Sequence, residues 1–168
     1  MSDAWGEPRT KTVSWYDPMV GAAAMAGMTG RAYLQAMIDG ELPPPPISGL
    51  MAFSAVSVGD GEVEFACTPD ESAYNPIGLV HGGLVCTLLD SVVGCAVHST
   101  LPAGTGYTSL EIKVSYLRPV RQGEGDLRAI GRVTKPGRRA AFAEGEVRDA
   151  AGRLVATASS TCLVFPLT

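Results

Sequence analysis

The feature that most constrains the fold of this sequence is an almost wholly apolar stretch at residues 83–99. On a helix its apolar side chains would cover most of the circumference, and a helix that is apolar nearly all round is a buried one. One helix cannot cover a sheet of several strands unless the sheet curls around it. The pattern is carried by Leu84, Val85, Leu88, Leu89, Val92, Val93, Ala96 and Val97.

Strands are indicated on both sides of this stretch, because apolar residues there recur at every second position. Residues 49–70 are typical of two strands joined by a turn at Gly59-Asp60-Gly61, and four more strands are predicted in residues 107–120, 123–137, 138–152 and 153–165. Hairpin-linked strands pair antiparallel. The sequence therefore predicts an α+β fold in which a curved antiparallel sheet wraps one long central helix. In residues 107–120 we expect one face to carry Leu110, Ile112, Val114 and Tyr116, and the other Ser109, Glu111, Lys113 and Ser115.

Ahead of these strands, residues 1–46 are interpreted as a helical extension that ends in a proline-rich spacer, and residues 47–168 as the main domain. Residues 1–14 are polar and irregular, which is typical of a mobile tail. Asp17 followed by Pro18 indicates a helix start, and the glycines after it predict one broken helix or two short ones. The four prolines at residues 43–46 stop any helix and are expected to be extended.

Charge and cysteine content narrow the class of protein. The formal net charge is -4 and the basic residues form no long run, which argues against a general nucleic-acid binder. The sequence shows no secretory signal and no apolar run of about 18 residues, so we expect a cytoplasmic protein without a membrane partner. The four cysteines form no C-x-x-C pair and no zinc-site spacing. We therefore expect them to be small buried apolar side chains, and we expect no metal site.

The polar exceptions within the apolar helix share one narrow stripe that holds a single charge, Asp90. The stripe is either a solvated edge or the wall of a cleft or subunit contact. Its short side chains favour the cleft, where a partly desolvated Asp90 would be costly and therefore a functional candidate. The stripe comprises Thr87, Asp90, Ser91, Gly94 and His98, and the candidate lining of a substrate pocket is Gly83, Thr87, Ser91 and Gly94.

The tripeptide His81-Gly82-Gly83 lies where this helix is predicted to begin. The first N–H groups of a helix have no intrahelical partner and carry the positive end of the helix dipole. Glycine lets a ligand approach them closely, so a carbonyl could be polarised there. The alternative is that the glycines only make a tight turn. Asp90 follows about two turns into the helix, which strengthens the functional interpretation.

Taken together, these residues resemble the hot-dog-fold acyl-CoA thioesterases. The resemblance rests on Asn75, on residues 78–83 with their His-Gly-Gly, on Asp90 and on residues 107–119, and it extends over residues 48–165. It is closest to the phenylacetate-degradation type, relatives of the Arthrobacter-type 4-hydroxybenzoyl-CoA thioesterase. The resemblance implies a curved sheet around one helix. It also implies hydrolysis of acyl-CoA, with aromatic acyl groups among the candidates, and no cofactor beyond the coenzyme A of the substrate.

The resemblance also implies roles for individual residues. Gly82 matches the glycine whose N–H polarises the thioester carbonyl, and Asp90 matches the carboxylate that acts as nucleophile or general base. Asn75 matches an asparagine that holds the thioester or the attacking water. In this family each site is completed across a homodimer interface, with Asp90 of one chain beside Gly82 and Asn75 of the other, and dimers often pair into tetramers.

His81 matches a histidine that usually supports the loop, and Thr108 or Ser109 matches a hydroxyl that places the nucleophilic water. The phosphates of coenzyme A require cations, and the densest basic cluster lies at a predicted hairpin turn that the resemblance places near the nucleotide. A solvated turn is the alternative. The candidates are Lys135, Gly137, Arg138 and Arg139, with Arg118 and Arg121 as second choices.

Three rival functions remain open at this point. Cys86 with His81 would make a Cys-His hydrolase, although no third orienting residue is evident and Cys86 is off the Asp90 stripe. A hot-dog dehydratase or hydratase is a second rival, and a non-catalytic acyl-CoA-binding module is a third.

Residues 1 to about 45 lie outside the resemblance. Three roles are open for them: plain packing, contact with a neighbouring subunit, or cover over the acyl pocket.

Overall fold

The computed structural model, which describes residues 5–121 and 123–167, has the predicted α+β architecture. Residues 1–4 of the predicted tail and residue 168 of the predicted main domain lie outside the described residues. The helices are α1 (Pro18–Met25), α2 (Gly30–Ile38), α3 (Pro46–Met51) and α4 (Gly82–Ser99). The strands are β1 (Phe53–Val58), β2 (Glu62–Cys67), β3 (Thr105–Tyr116), β4 (Leu127–Lys135), β5 (Ala140–Arg148) and β6 (Leu154–Pro166).

The strands form one antiparallel sheet in the order β1-β2-β4-β5-β6-β3, so β1 and β3 are its edges. Helix α4 contacts all six strands, which is possible only because the sheet curves around it. Leu88, Leu89 and Val92 on this helix are fully buried. The predicted fold is confirmed, and the core lies between α4 and the concave face of the sheet.

Two glycines that the sequence pattern does not single out let the helix lie directly on the sheet. Gly131 of β4 and Gly145 of β5 are register partners. A Cβ on Gly131 would lie 2.3 Å from the carbonyl oxygen of Val92, and one on Gly145 would lie 2.8 Å from Cγ1 of Val93. A side chain at either position would push α4 away from the sheet.

Helix α4 corrects one expectation from the sequence. It has 18 residues and a mean hydropathy of 1.4. By length and composition it is the one helix in the described residues that could cross a membrane. The test is passed by the core helices of soluble proteins as well, and 61% of this helix is buried inside the sheet. Its apolar character is explained by the core that it fills.

The N-terminal segment contains two short helices, the second of the predicted alternatives. Asp17 caps α1 by accepting a hydrogen bond from the N–H of Met19 at 2.9 Å. Helix α2 packs on α4 and β1. Its Leu34 is 1% exposed, and the N–H of Gly30 donates to the carbonyl of Leu101 at 3.0 Å. The second helix of the extension is therefore part of the main core.

The proline run behaves differently from the prediction at its last residue. Residues 43–45 are extended, but Pro46 begins helix α3, which covers residues that had been assigned to a strand. Proline is well suited to the first helical position, because the N–H that it lacks would have no partner there. The helix ends at Ala52, whose φ of 53° is left-handed, and β1 starts at the next residue.

The described part of the predicted tail is tied to the main domain. Arg9 forms an ion pair with Glu71, and Nζ of Lys11 lies 2.6 Å from the carboxylate of Asp70. Lys11 also donates to the carbonyl of Leu50 at 3.3 Å. Residues 5–16 therefore run across the loop that precedes α4, although they have no helix or strand.

Candidate active site

Asp90 lies in the middle of α4, half-buried, and faces the edge strand β3. The hydroxyl of Ser109 donates a hydrogen bond to Oδ1 of Asp90 at 2.8 Å. A hydrogen bond to a carboxylate is stronger than one between neutral groups, and it restricts the direction in which the second oxygen points. Asp90 is thus an oriented carboxylate on the stripe of short side chains.

A β-bulge in β3 decides which hydroxyl reaches this carboxylate. The register between β3 and β6 shifts between Ser109 and Glu111, so Leu110 is an extra residue without a partner. Ser109 therefore shares the inner face with Ile112, while Leu110 is turned outward and is 59% exposed. The predicted alternation, which put Leu110 on the face of Ile112 and Ser109 on the opposite face, is wrong at this point. Thr108 is exposed beside the outward-facing Leu163, so of the two candidate hydroxyls Ser109 lies at Asp90.

Asp90 and Ser109 open into a cavity of about 480 Å³. Part of its lining comes from α2, the proline spacer and α3, and the remainder comes from α4, β1, β2 and β3. The lining is mainly apolar, and Leu34, Met37 and Ile38 are the contributions of α2. Pockets of this size with few polar groups are typical of small-molecule sites.

The start of α4 supplies a second group of polar atoms. His81 caps the helix, and its Nδ1 accepts a hydrogen bond from the N–H of Gly83 at 2.8 Å. A Cβ on Gly83 would lie 2.8 Å from this nitrogen, so glycine is needed for the cap. In the described part of the chain the N–H of Gly82 has no acceptor, and it remains available to a ligand. The cap ties the side chain of His81 to the first turn of α4, and the supporting role that the resemblance implies for it stays a prediction.

Tyr116, at the end of β3, also holds this helix start. Its hydroxyl donates to the carbonyl of Gly82 at 2.9 Å, and a Cβ on Gly82 would lie 3.1 Å from its ring. From the sequence, Tyr116 is predicted only to lie on the apolar face of a strand. Nothing in the strand pattern distinguishes this tyrosine, because its partner lies 34 residues away in the chain.

Asn75 lies in the loop before the helix and lines a smaller recess of about 330 Å³ together with Gly82 and Arg118. Its side-chain oxygen accepts hydrogen bonds from the N–H groups of Ile77 at 3.1 Å and Leu79 at 3.0 Å. The oxygen is therefore used to shape the loop, and the amide NH₂ is the part of Asn75 that can face a ligand.

The structure does not bring Gly82 and Asp90 together within one protomer. They are eight positions apart on α4, which corresponds to about 12 Å along the helix axis. Groups that act on one thioester must lie within hydrogen-bond reach of it. The predicted catalytic set is thus divided into one group at the helix start and another at the helix middle.

The predicted pocket residues of the stripe have different surroundings. Ser91 lines the cavity with Asp90. The hydroxyl of Thr87 donates to the carbonyl of Gly83 at 2.9 Å, and that of Ser91 donates to the carbonyl of Thr87 at 2.8 Å. A Cβ on Gly94 would lie 2.7 Å from the ring of Tyr107, so Gly94 admits this ring. Gly83, Thr87 and Gly94 do not line the cavity in the protomer.

The last stripe residue, His98, is a buried core residue. It is 3% exposed and lies between the rings of Tyr33 and Tyr107, with centroid distances of 5.4 Å and 5.3 Å. Burial lowers the pKa of His98 to about 4, because the charged imidazolium would lose its hydration. The imidazole is therefore neutral at ordinary pH.

The predicted basic turn joins β4 to β5 at the far end of the sheet from Gly82. Gly137 allows the tight turn, since a Cβ there would lie 2.0 Å from the carbonyl oxygen of Ala140. Across residues 5–121 and 123–167, no carboxylate forms an ion pair with Lys135, Arg138 or Arg139. Gly137 and Arg138 line a recess of about 540 Å³. Arg121, a second candidate, is exposed in the loop that bridges to Leu79.

The cysteines are not placed to act as nucleophiles, although Cys95 lines the cavity beside Asp90. All four are free, and the described residues include no hydrogen bond between Cys86 and His81, whose Nδ1 is occupied by Gly83. Burial raises the pKa of Cys67 to about 12 and that of Cys95 to about 11, so neither is a ready thiolate. Over the same residues no three His, Cys, Asp or Glu side chains are placed to hold a metal ion.

Comparison with known proteins gives consistent results. Residues 77–156 match the family model described as the thioesterase superfamily. Human acyl-coenzyme A thioesterase 13 is 32% identical over 107 residues, which cover 63% of this chain and 75% of the human protein. The crystal structure of a phenylacetic acid degradation-related protein from Ralstonia eutropha has 33% identity and a TM-score of 0.72, and the match covers 78% of this chain and 98% of that one.

A Streptococcus mutans protein solved with acetyl-CoA bound is also similar, with 28% identity and a TM-score of 0.63. That match covers 68% of this chain and 90% of the S. mutans chain. The identity between this chain and the human or the R. eutropha protein is above 30%, and each match covers most of the relative's own length. The chain therefore belongs to the thioesterase superfamily, as the motif predicted, and is a thioester hydrolase with the hot-dog fold.

Proposed function

We propose that the protein hydrolyses acyl-CoA thioesters to the free acid and coenzyme A, in a site that two protomers complete. The observation that carries the proposal is the oriented carboxylate of Asp90 in the lining of a mainly apolar cavity. The human relative is named for acyl-coenzyme A, and the S. mutans structure holds acetyl-CoA. Aromatic acyl groups belong in the substrate panel, because the R. eutropha relative is named for phenylacetic acid degradation.

The N–H of Gly82 is the proposed donor to the thioester carbonyl oxygen. It lies at the positive end of the α4 dipole and has no acceptor among the described residues. As the carbonyl carbon is attacked, negative charge develops on the oxygen and this hydrogen bond strengthens. One donor of this kind contributes roughly 10²–10³ in rate. Asn75 would add its amide NH₂ at the same recess.

Asp90 is the proposed source of the nucleophile. As a general base it takes a proton from water while the water oxygen attacks the carbonyl carbon, and the C–S bond then breaks to release coenzyme A as a thiol. As a nucleophile its carboxylate attacks directly, expels the thiolate and forms an anhydride that water hydrolyses. Ser109 holds the carboxylate in either case. Both routes remain open.

The separation of about 12 Å between Gly82 and Asp90 along α4 is the reason for proposing a homodimer. Strand β3 is a long open edge of the sheet. Its last residue, Tyr116, is 55% exposed, and Leu117, which follows the strand, is 57% exposed. Unpaired edges of this kind favour pairing with another chain. Edge-to-edge pairing of two β3 strands would bring Asp90 of one protomer towards Gly82 of its partner. The tetramer, the cytoplasmic location and the lack of a cofactor stay predictions.

The cations of the β4–β5 turn, which form no ion pair with any described carboxylate, are the proposed contacts for the coenzyme A phosphates. Arg138 and Arg139 are the principal candidates, together with Lys135. Arg118 is a separate candidate, because it lines the recess of Gly82.

The decisive experiment follows thiol release from acyl-CoA by the purified protein and its variants. Asp90→Asn should lower turnover by roughly 10²–10⁴, the contribution of a general base. Ser109→Ala should lower it by about 10–100-fold, because a hydrogen bond to a charged group is worth about 1.5–3 kcal/mol. Thr108→Ala is the matched control, since its hydroxyl lies on the outer face. Turnover of Asp90→Asn within a few-fold of the parent would sink the assignment.

A further inference from the structure

The cavity beside Asp90 has walls of different origin. One wall contains Asp90 and Ser109, which belong to the main domain. Another wall consists of the C-terminal half of α2 and the segment that follows it, with Met37 and Ile38 from the helix and Pro45 from the spacer. The N-terminal extension thus lines the cavity that contains the proposed catalytic carboxylate.

This wall is held in a defined position. Leu34 is 1% exposed in the core shared with α4, and the ring of Tyr33 packs against His98. The start of α2 is fixed as well, because a Cβ on Gly30 would lie 1.8 Å from the carbonyl oxygen of His98. Met37 and Ile38 are only half-buried. Met37 packs against the edge of the core, and both side chains line the cavity, so a change in the size of either one alters the space beside Asp90.

The chemistry of the lining selects the class of acyl group. Of the described residues that line the cavity, Asp90 is the only charged one. A dicarboxylic acyl group carries a free carboxylate besides its thioester. In this cavity that carboxylate would lose its hydration without gaining a cation, and Asp90 would repel it. Apolar walls and a volume of about 480 Å³ suit an uncharged aliphatic or aromatic group.

From these contacts we infer that the N-terminal extension is the selectivity wall of the acyl pocket. Met37 and Ile38 limit the length of an uncharged apolar acyl group, and dicarboxylic acyl groups are rejected. The inference rests on the proposed acyl-CoA hydrolysis and adds the substrate class and the residues that determine it.

The test compares kcat/KM for acetyl-, hexanoyl-, dodecanoyl-, phenylacetyl- and succinyl-CoA. Met37→Trp and Ile38→Trp should lower the value for dodecanoyl-CoA at least tenfold relative to acetyl-CoA, because a larger side chain shortens the cavity. Met37→Ala should raise kcat/KM for dodecanoyl-CoA relative to that for acetyl-CoA. Succinyl-CoA should be the poorest substrate of the parent. The matched control is Arg31→Trp on the exposed face of α2, which should keep the profile of the parent.

A second readout does not require turnover. The free acids dodecanoate and phenylacetate should raise the melting temperature of the parent and of Arg31→Trp, and should raise that of Met37→Trp less. Identical profiles for Met37→Trp and Arg31→Trp in both measurements would overturn the inference, as would efficient hydrolysis of succinyl-CoA. Absence of thiol release by the parent would instead refute the proposed function, while the thermal shifts still decide whether the wall selects the ligand.

Discussion

Acidification should destabilise this fold through one buried imidazole. His98 is enclosed by the rings of Tyr33 and Tyr107, and burial lowers its pKa from 6.5 to about 4. The folded protein therefore keeps His98 neutral, whereas the unfolded chain takes up a proton near pH 6.5. The unfolded state binds more protons between these two values, so the free energy of unfolding falls as pH is lowered through this window.

The size of the effect follows from the two pKa values. The gap between 6.5 and about 4 corresponds to about 3 kcal/mol in total. About 2 kcal/mol of this should be lost by about pH 5, before most carboxylates begin to titrate. This is a large part of the 5–15 kcal/mol that is typical of a domain.

Urea unfolding at several pH values between about 7.5 and 5 measures the effect, with His98→Gln as the comparison. The variant is expected to be less stable throughout, but its free energy of unfolding should vary less with pH than that of the parent. The carboxylates contribute equally to both proteins, so the difference between the two curves isolates His98. Parallel curves for the parent and His98→Gln would refute the reasoning.

Two further substitutions test the helix start and the basic turn. Tyr116→Phe removes the hydrogen bond to the carbonyl of Gly82, worth about 1 kcal/mol, so kcat should fall about fivefold with KM little changed. An unchanged kcat would show that Tyr116 does not position this helix start. The double variant Arg138→Ala and Arg139→Ala should raise KM for acyl-CoA several-fold at low salt, and the difference from the parent should shrink at high salt. Arg128→Ala is its control, because Arg128 is already paired with Glu64 at 3.3 Å. An unchanged KM at low salt would remove the turn from the coenzyme A site.

The sequence predicts the fold well because the evidence for it is local. Apolar residues all round residues 83–99 indicate a buried helix, and hairpin turns such as Gly59-Asp60-Gly61 indicate which consecutive strands pair. The pairing of β2 with β4 and of β6 with β3 comes only from the structure. The two chemically distinctive positions, Gly82 and Asp90, are also visible in the sequence because a polar group in an apolar helix needs an explanation.

Other features depend on tertiary structure and leave no local pattern. The bulge at Leu110 adds one residue to a strand whose alternation looks regular, yet it brings Ser109 to Asp90. The last of the four prolines starts helix α3 and the three before it do not, a difference that composition does not show. The contribution of Met37 to the cavity arises only when α2 folds back onto α4.

The central claim is that Gly82 and Asp90 act on the same thioester from different protomers. Gly82→Pro removes the N–H but suits the first helical position, and His81, with φ −63° and ψ 135°, already has a backbone conformation compatible with a following proline. Gly82→Ala is the matched control, because it adds a Cβ near Tyr116 but keeps the N–H.

The most direct test is thiol release after Gly82→Pro and Asp90→Asn proteins are unfolded together, refolded and compared with each variant alone. In a two-fold dimer the mixed species would contain one intact pair, with Gly82 from one chain and Asp90 from the other. Random pairing then predicts recovery of about one quarter of the parent activity from two nearly inactive proteins. No recovery, in a mixture shown to contain the mixed dimer, would contradict the shared site.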